Sequence, residues 1–343
     1  MRHVNIPVFI PHLGCPNQCV FCNQRTISGV HEFVPDTVKD IIDEALTTVT
    51  DEDTTEIAFF GGSFTGIDRG LMISLLEIAN SYVLSGKVKS VRCSTRPDYI
   101  DAEIVDILKK YNVHAVELGL QSVSDNVLRI TKRNHSFEDE QRACRIIKES
   151  GITLVGQMMI GLPGATLEDE LKTARFIIDS GAEAARVYPT VVFKDTELCS
   201  MSVDGSYIPL SLDDAVERTA KVVALLRSAG VKVIRVGLCS SDNLSADDTY
   251  FAGPNHPALG EVVENRIYYD RISNEMNNIS LNKNTVIEIY VPVGSLSKAV
   301  GQKKRNKFLL IESFKIKDAV FFESAKLSDG EILVVERKED KCT

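Results

Sequence analysis

Long apolar segments are missing from this sequence. No uninterrupted apolar stretch among its 343 residues approaches the roughly 20 residues that cross a bilayer. The first residues also lack the apolar core and small-residue cleavage site of a secretory signal peptide. With 44% hydrophobic and 25% charged residues, the composition is that of an ordinary soluble protein. We therefore expect a cytoplasmic protein that has no membrane partner.

Paired CxxC motifs are absent too, and five of the eight cysteines stand alone, at positions 93, 144, 199, 239 and 342. Such scatter does not indicate a disulfide framework in a chain of this length. The other three, Cys15, Cys19 and Cys22, share the stretch GCPNQCVFCNQ. A structural zinc site is closed by four ligands, so three thiolates leave one coordination position open for chemistry. A zinc site completed by a distant ligand such as His12 and a chance cluster are the alternatives.

Charge divides the chain unevenly. The net charge of −9 disfavours a nucleic-acid partner for the chain as a whole. From position 281 to 343, however, twelve Lys or Arg face nine Asp or Glu, a net charge of +3, whereas the preceding 280 residues carry −12. The length exceeds what one hydrophobic core usually supports. We therefore predict a large domain at 1–240, a linker and connecting segment at 241–280 and a small domain at 281–343.

The first 240 residues alternate short β-rich runs with stretches of helical period, which predicts an α/β fold with a parallel sheet. The predicted strands are VNIPVFI, EIAFF, SVRCST, AVELGL, TLVGQMMI and ARVYPTVV. Ser136, Thr166 and Ser211 each precede an acidic residue by three positions, as in a helix-capping box. About six βα units result, fewer than the eight of a closed TIM barrel. The expected architecture is a partial (β/α)6 TIM-type barrel with functional residues at the strand carboxyl ends.

Beyond position 236 the sequence becomes rich in Ser, Asp, Asn, Gly and Pro, which indicates loop and a domain boundary. A βααβ pattern follows in TVIEIYVP, SLSKAV, KFLLIESF and DAVFFES. The chain is therefore expected to end in a small α/β domain.

CxxxCxxC with an aromatic residue, here Phe21, before the last cysteine resembles the signature of the radical S-adenosylmethionine (SAM) enzymes, and the likeness extends from residue 1 to about 240. The resemblance implies that Cys15, Cys19 and Cys22 hold a [4Fe-4S] cluster whose fourth iron chelates SAM. An electron from the cluster then cleaves SAM to a 5′-deoxyadenosyl radical. A donor such as flavodoxin or ferredoxin would supply that electron.

Two glycine-containing turns extend this resemblance. In FFGGSFTG, Gly61 and Gly62 would let the backbone approach the methionine amino group of SAM closely. In MIGLPG, Gly161 and Leu162 would line the adenine. Ordinary turns remain the alternative reading of both segments.

A narrower likeness is to the radical domain of the catalytic subunit of the Elongator complex, carried by STRPDYI, VELGLQSVSDNVLRITKRNHS, MMIGLPG and VYPTVVFKDTEL. It implies that Gln121 binds the ribose, Arg133 the carboxylate or ribose, and Tyr188 the adenine. Ser94 stands where that family often has Glu, and Gln157 where related enzymes carry an acidic residue or His; both would face the SAM pocket. Alternatively, Arg133 is a solvated helix residue and Tyr188 a core residue.

The segment VPVGSLSKAVGQKKRNKFLLIESF resembles a KH domain, whose GXXG loop clamps single-stranded nucleic acid. The second glycine is missing, but the loop is basic. The resemblance implies a nucleic-acid contact through Gly301, Lys303, Lys304, Arg305 and Lys307. A capping domain with a solvated basic turn is the alternative.

Three functions follow from these patterns. The first is a radical SAM enzyme that modifies RNA, such as tRNA. The second is a radical SAM enzyme acting on a small metabolite, as the porphyrinogen-oxidising relatives do. The third is a nonenzymatic RNA-binding protein with a structural cluster. The sequence ends without the acetyltransferase domain of Elongator subunits, so acetyl transfer is not expected.

Overall fold

A computed structural model describes residues 3–15, 19–30, 32–50, 53–238 and 249–337. Two compact units divide the chain. The first comprises Met1–Ala215 and Leu225–Asn255, and the second comprises Val216–Ala224 and His256–Thr343. No described helix combines the length and the apolar character needed to cross a membrane.

The first unit is built on a seven-stranded parallel sheet that curls into a partial barrel. In chain order its strands are β1 (His3–Ile10), β2 (Thr54–Gly61), β3 (Ser90–Thr95), β4 (Val113–Gln121), β5 (Thr153–Ile160), β6 (Ala184–Pro189) and, after the short β7 (Val192–Phe193), β8 (Lys232–Val236). They lie side by side in that order, apart from β7, which pairs antiparallel with β9 (Tyr250–Ala252). The predicted partial barrel is confirmed.

Two details of the strand prediction were wrong. The sheet has seven parallel strands where six were expected, because β8 adds to the edge of β6. The run ARVYPTVV is not one strand: it is divided between β6 and β7, which belong to different sheets. The extra strand closes the curved wall further than six βα units would.

Helices follow the strands of this unit. They are α1 (Gln24–Ser28), α2 (Val38–Leu46), α3 (Arg69–Leu84), α4 (Ala102–Lys110), α5 (Asp125–Ile130), α6 (Phe137–Ser150), α7 (Leu167–Asp179), α8 (Glu197–Val203) and α9 (Leu212–Ser228). Ser136 and Thr166 form full capping boxes at α6 and α7, and the Ser211 hydroxyl accepts the Asp214 N–H at α9. Gly151 ends α6 in the left-handed conformation, with φ of 80°.

The two faces of the curved sheet carry different kinds of side chain. Fully buried apolar side chains such as Phe59 and Val91 occupy alternate positions along the strands. Polar and charged residues from the intervening positions, among them Arg92 and Glu117, line the concave side. The sheet therefore keeps an apolar core on one side and, on the other, a cavity lined by charged and apolar side chains together.

The second unit carries the βααβ pattern predicted for the tail. Its elements are α10 (Leu259–Met276), β10 (Val286–Pro292), α11 (Leu296–Val300), α12 (Arg305–Phe314), β11 (Asp318–Ser324) and β12 (Leu333–Glu336). Strand β10 is central, parallel to β11 and antiparallel to β12. Helix α10 lies within the segment expected to be a connection, and its Ile272 and Met276 belong to the unit's core. The small C-terminal α/β domain is confirmed.

Candidate active site

The three clustered cysteines lie in the loop that follows β1. All three line a cavity of about 860 Å³ on the concave side of the sheet. The loop is tied to its surroundings by backbone hydrogen bonds: the Val20 N–H donates to Thr131 O at 3.2 Å, and the Leu198 N–H donates to Val20 O at 2.8 Å. A short loop thus brings three thiols to the carboxyl ends of the strands.

Two glycines lock this loop against the turn after β2. A Cβ at Gly62 would collide with the carbonyl oxygen of Leu13, and one at Gly14 would collide with that of Ser63. The Ser63 N–H also donates to Leu13 O at 3.1 Å. The sequence predicted that the backbone at Gly61 and Gly62 would closely approach a ligand. In this structure the backbone at Gly62 closely approaches the cysteine loop.

Each cysteine sulfur has a polar side chain beside it among the described residues. Ser63 Oγ lies 3.5 Å from the sulfur of Cys15, Gln24 Nε2 donates to that of Cys22 at 3.7 Å, and Arg133 Nη1 donates to that of Cys19 at 3.6 Å. Burial raises the pKa of Cys22 to about 12, and the proximity of the other two cysteines acts in the same direction. Three thiols at one place are suited to hold a cationic metal centre.

The geometry gives little support to a zinc site formed by the three cysteines and His12. His12, its suggested fourth ligand, uses Nε2 to accept the backbone N–H of Gln24 at 3.1 Å. Among the residues the structure describes, no three His, Cys, Asp or Glu side chains are close enough to share one metal ion. In an iron–sulfur cluster each thiolate binds a different iron, so the ligands need not converge on a single ion.

Gln121 and Arg133 face the cavity with polar atoms unsatisfied. Gln121 ends β4 at an irregularity in the pairing with β5 and has a left-handed φ of 70°, a strained conformation for a residue with a side chain. Gln121 Oε1 and Arg133 Nε are buried, and neither has a hydrogen-bond partner among the described residues. Arg133 is only 6% exposed, so it is not the solvated helix residue offered as an alternative. Buried unpaired polar atoms at a cavity wall indicate a polar ligand.

A second layer of buried side chains supports Arg133. Arg96 donates to the backbone oxygen of Arg133 and forms a two-bond pair with Asp98, each bond 2.9 Å long. His135 and Glu140, both with fully buried side chains, share a 3.0 Å hydrogen bond. Burial, and then the charges of Arg133 and Arg96, lower the pKa of His135 to about 3. Burial also raises the pKa of Glu140 well above its ordinary value.

Most of the other expected cofactor contacts also line the cavity. These are Phe21, Gly61, Gly62, Ser94, Gln157 and Tyr188. Gly161 and Leu162 are not among the lining residues: the Gly161 N–H donates to Glu170 at 2.7 Å, and its oxygen accepts the Tyr207 hydroxyl at 2.7 Å. Cys93 is fully buried and outside the cavity lining, so its side chain packs in the core.

Sequence reasoning missed a group of charged residues on the concave wall. Glu56, Arg92, Glu117 and Arg186 come from four different strands and pair with one another. Strands buried on both faces usually read as continuous apolar runs. A charged residue in the middle of SVRCST, AVELGL or ARVYP was therefore the available signal.

The basic loop of the second unit lies between α11 and α12, as predicted. Lys303 and Lys304 have left-handed φ values of 51° and 63°, and both are exposed. Gly301, with φ of 78°, packs so closely on Asn306 that a Cβ would crowd it. Lys307 is paired with Asp318 at 2.9 Å and is less available than the loop lysines.

Comparison with known proteins identifies the chain. Residues 9–177 match the Radical SAM superfamily, and residues 182–269 match the Radical_SAM C-terminal domain. This chain belongs to the radical SAM superfamily. It is accordingly a radical SAM enzyme, and the cofactors of that superfamily are a [4Fe-4S] cluster and SAM.

Similar proteins include the tRNA uridine(34) acetyltransferase of Methanocaldococcus infernus, 31% identical over 151 residues that make up 43% of this chain and 28% of that protein. Human Elongator complex protein 3 is 30% identical over 41% of this chain and 26% of its own length. The match thus spans between a quarter and a third of these relatives. An N-terminally truncated archaeal Elp3 from Methanocaldococcus infernus has the same fold, with a TM-score of 0.61 and 21% identity over 80% of this chain and 63% of that one.

Proposed function

We propose that Cys15, Cys19 and Cys22 hold the cluster, that Gln121 and Arg133 bind SAM, and that the enzyme modifies RNA. One observation carries the cofactor assignment: three thiols lie at the same cavity as the buried, unpaired Gln121 Oε1 and Arg133 Nε. When bound, the cluster supplies the electron that cleaves SAM to methionine and a 5′-deoxyadenosyl radical.

Side chains of this chain then have defined tasks. The guanidinium of Arg133 donates a hydrogen bond to the Cys19 sulfur and would hold that ligand in position. Its unpaired Nε is a donor suited to a carboxylate, and the amide oxygen of Gln121 is an acceptor suited to a ribose hydroxyl. Ser94 on β3, Gln157 on β5 and Tyr188 on β6 lie on the same wall and would complete the SAM pocket.

RNA is the substrate class that the second unit supports best. Two consecutive lysines in the left-handed conformation carry strain that persists only where the surroundings impose it, and such sites cluster at functional loops. Phe308 lies one helical turn from Lys304 and is 59% exposed. Basic side chains beside an exposed aromatic ring form a surface for phosphates and stacked bases. The tRNA uridine(34) acetyltransferase match agrees with this substrate class.

The contribution of the basic loop to RNA binding is tested by exchanging Lys303, Lys304 and Arg305 for Glu. We expect the affinity for single-stranded or tRNA-like RNA to fall at least tenfold, and the wild-type affinity to decline as salt rises, because phosphate contacts release counterions. A matched control exchanges the exposed Lys109, Lys110 and Arg145 of the first unit for Glu. Filter binding that shows equal affinity for both variants would remove the loop from the proposal.

Modification itself is tested by incubating the reconstituted enzyme with RNA, SAM and dithionite without oxygen. Mass spectrometry of the digested RNA should show a SAM-dependent change in one nucleoside. A small anionic metabolite is the second candidate, favoured by the charged wall of the cavity. If metabolite extracts change mass under these conditions and RNA does not, the metabolite assignment replaces the RNA assignment.

A further inference from the structure

The concave wall of the barrel carries an excess of positive charge. Seven of its lining side chains are Lys or Arg and three are Glu, although the whole chain has a net charge of −9. Arg96 and Arg133 belong to the cysteine end of the cavity. The other five basic side chains lie on or beside the strands, away from the cysteine loop: Lys89, Arg92, Arg186, Lys232 and Arg235.

Two of these arginines are neutralised within the wall. Arg92 contacts Glu56 at 2.9 Å and Glu117 at 3.0 Å. Arg186 donates to both oxygens of Glu117, at 2.6 and 3.1 Å, and its guanidinium lies 5.5 Å from the centre of the Phe60 ring. These contacts fix the two side chains, so neither is free to turn toward a ligand.

Arg235, in contrast, has no carboxylate partner in the part of the chain that the structure describes. It is the partner of Arg186 in the register of the neighbouring strands β6 and β8, so the two side chains are neighbours on one face of the sheet. Its Nε donates to the backbone oxygen of Gly237 at 3.2 Å. Within the described part of the chain, no Asp or Glu lies within ion-pair distance of its guanidinium. Among the described residues, neither terminal nitrogen of Arg235 has a hydrogen-bond partner, and the side chain lines the cavity.

Two guanidinium groups on adjacent strands repel each other unless each has its own counterion. The carboxylate of Glu117 already serves both Arg92 and Arg186, which leaves the charge of Arg235 unbalanced in a partly buried site. An anion placed at its free nitrogens would restore the balance with two parallel hydrogen bonds, the geometry in which Arg binds carboxylate and phosphate most strongly.

We propose that Arg235 binds an anionic group of the substrate, a phosphate or a carboxylate, inside the barrel. This inference rests on the proposed function in taking the cavity as the place where substrate meets SAM. It adds that the substrate is anchored by charge on the wall formed by β6 and β8. A nucleotide phosphate and the carboxylate of a metabolite share this chemistry.

The test is equilibrium dialysis of radiolabelled inorganic phosphate, and separately acetate, against the full chain with its cluster reconstituted. Arg235→Gln should raise the dissociation constant of the preferred anion at least tenfold, while Arg235→Lys, which keeps the charge, should retain part of the binding. Arg175→Gln, at an exposed arginine of α7, should bind as the wild type does. Preference for phosphate over acetate would identify a phosphate-bearing substrate, and the reverse a carboxylate.

Equal anion binding by wild type and Arg235→Gln, or no binding by the wild type, would overturn the inference. SAM cleavage by the wild-type protein is measured in parallel and separates the two claims. If SAM is cleaved and Arg235→Gln leaves anion binding unchanged, only the anchoring role fails. If anion binding depends on Arg235 but SAM is never cleaved, the proposed function fails and the site stands.

Discussion

At the scale of single residues, the candidate site depends on small groups in tight places. Cys19, Gln121 and Arg133 come from separate loops and strand ends, yet they line one cavity. Glycines bring the cysteine loop close to the turn after β2, and a positive φ at Gln121 turns its side chain toward the same space. Substitutions that change the volume of one methyl group should therefore affect cofactor binding.

Gly62→Ala should displace the cysteine loop. The added Cβ would collide with the Leu13 carbonyl oxygen and lie 2.8 Å from that of Ile10, so the backbone must move at a cost of roughly 1–3 kcal/mol. Iron bound after anaerobic reconstitution should fall well below the wild-type content. Gly70→Ala, in the first turn of α3, is the control and should keep its iron. A Gly62→Ala protein with a full cluster would show that the loop tolerates the shift.

The buried His135–Glu140 pair predicts a pH dependence of stability. In the folded protein Glu140 keeps its proton and His135 has none, because burial raises the pKa of Glu140 and lowers that of His135. Unfolded Glu ionises near 4.5 and unfolded His near 6.5. Between these values both states hold one proton, and above about pH 6.5 only the folded state does. The free energy of unfolding should therefore fall as the pH rises above 6.5.

Glu140→Gln removes this proton and should reduce the loss of stability above pH 6.5 by up to about 1.4 kcal/mol per pH unit. Urea unfolding of the cluster-free protein at pH 6.5 and 8, followed by circular dichroism, measures the difference. Glu168→Gln, at an exposed carboxylate of α7, is the matched control. Equal pH dependence in wild type and Glu140→Gln would mean that Glu140 is ionised in the folded protein.

At the scale of elements, the sequence correctly predicted the strands and helix starts that depend on neighbouring residues alone. The strands SVRCST and TLVGQMMI coincide residue for residue with β3 and β5, and capping boxes begin α6 and α7 as expected. Helix α10 was missed because its apolar side chains change face along its length: Leu259, Val263 and Ile267 follow one stripe, and Tyr268, Ile272 and Met276 follow another. No single apolar stripe runs along the whole helix, so the helical period is weak in the sequence of this segment.

The site was only partly predictable for a similar reason. Resemblance to a family identified the cysteines, Gln121 and Arg133, which the structure brings to one cavity. The charged wall depends on which face of each strand turns inward and on a register that pairs Arg186 with Arg235. Both the inward face of each strand and this register are set by pairing between segments far apart in the sequence. They therefore cannot be predicted from a local sequence pattern.

In the second unit, Asn306 connects three helices. Its buried amide donates to Asn265 O of α10 at 2.7 Å and to Ala299 O of α11 at 3.0 Å from the first turn of α12. Asn306→Ala leaves both buried oxygens without this donor and should cost about 1–3 kcal/mol. The urea transition of this unit should move to lower concentration, while the exposed control Glu312→Ala should not shift it. An unchanged transition would show that water replaces the amide.

At the scale of the whole molecule, the first unit contains the cavity lined by the three cysteines, and the second carries the exposed basic loop. The chemistry assigned to the first does not depend on the nucleic-acid contact assigned to the second. Loss of RNA binding should therefore leave SAM cleavage intact, and loss of the cluster should leave RNA binding intact.

The most direct measurement of the central claim is the formation of 5′-deoxyadenosine from SAM by the anaerobically reconstituted protein in the presence of dithionite. We predict about four irons per chain and SAM cleavage to 5′-deoxyadenosine and methionine, since three thiolates and SAM complete the coordination of one cluster. Cys15→Ala, Cys19→Ala and Cys22→Ala should lose both, whereas Cys144→Ala, at a buried cysteine of α6, should retain both. Recovery of zinc without iron from anaerobically grown cells, or an intact cluster that does not cleave SAM, would contradict the account.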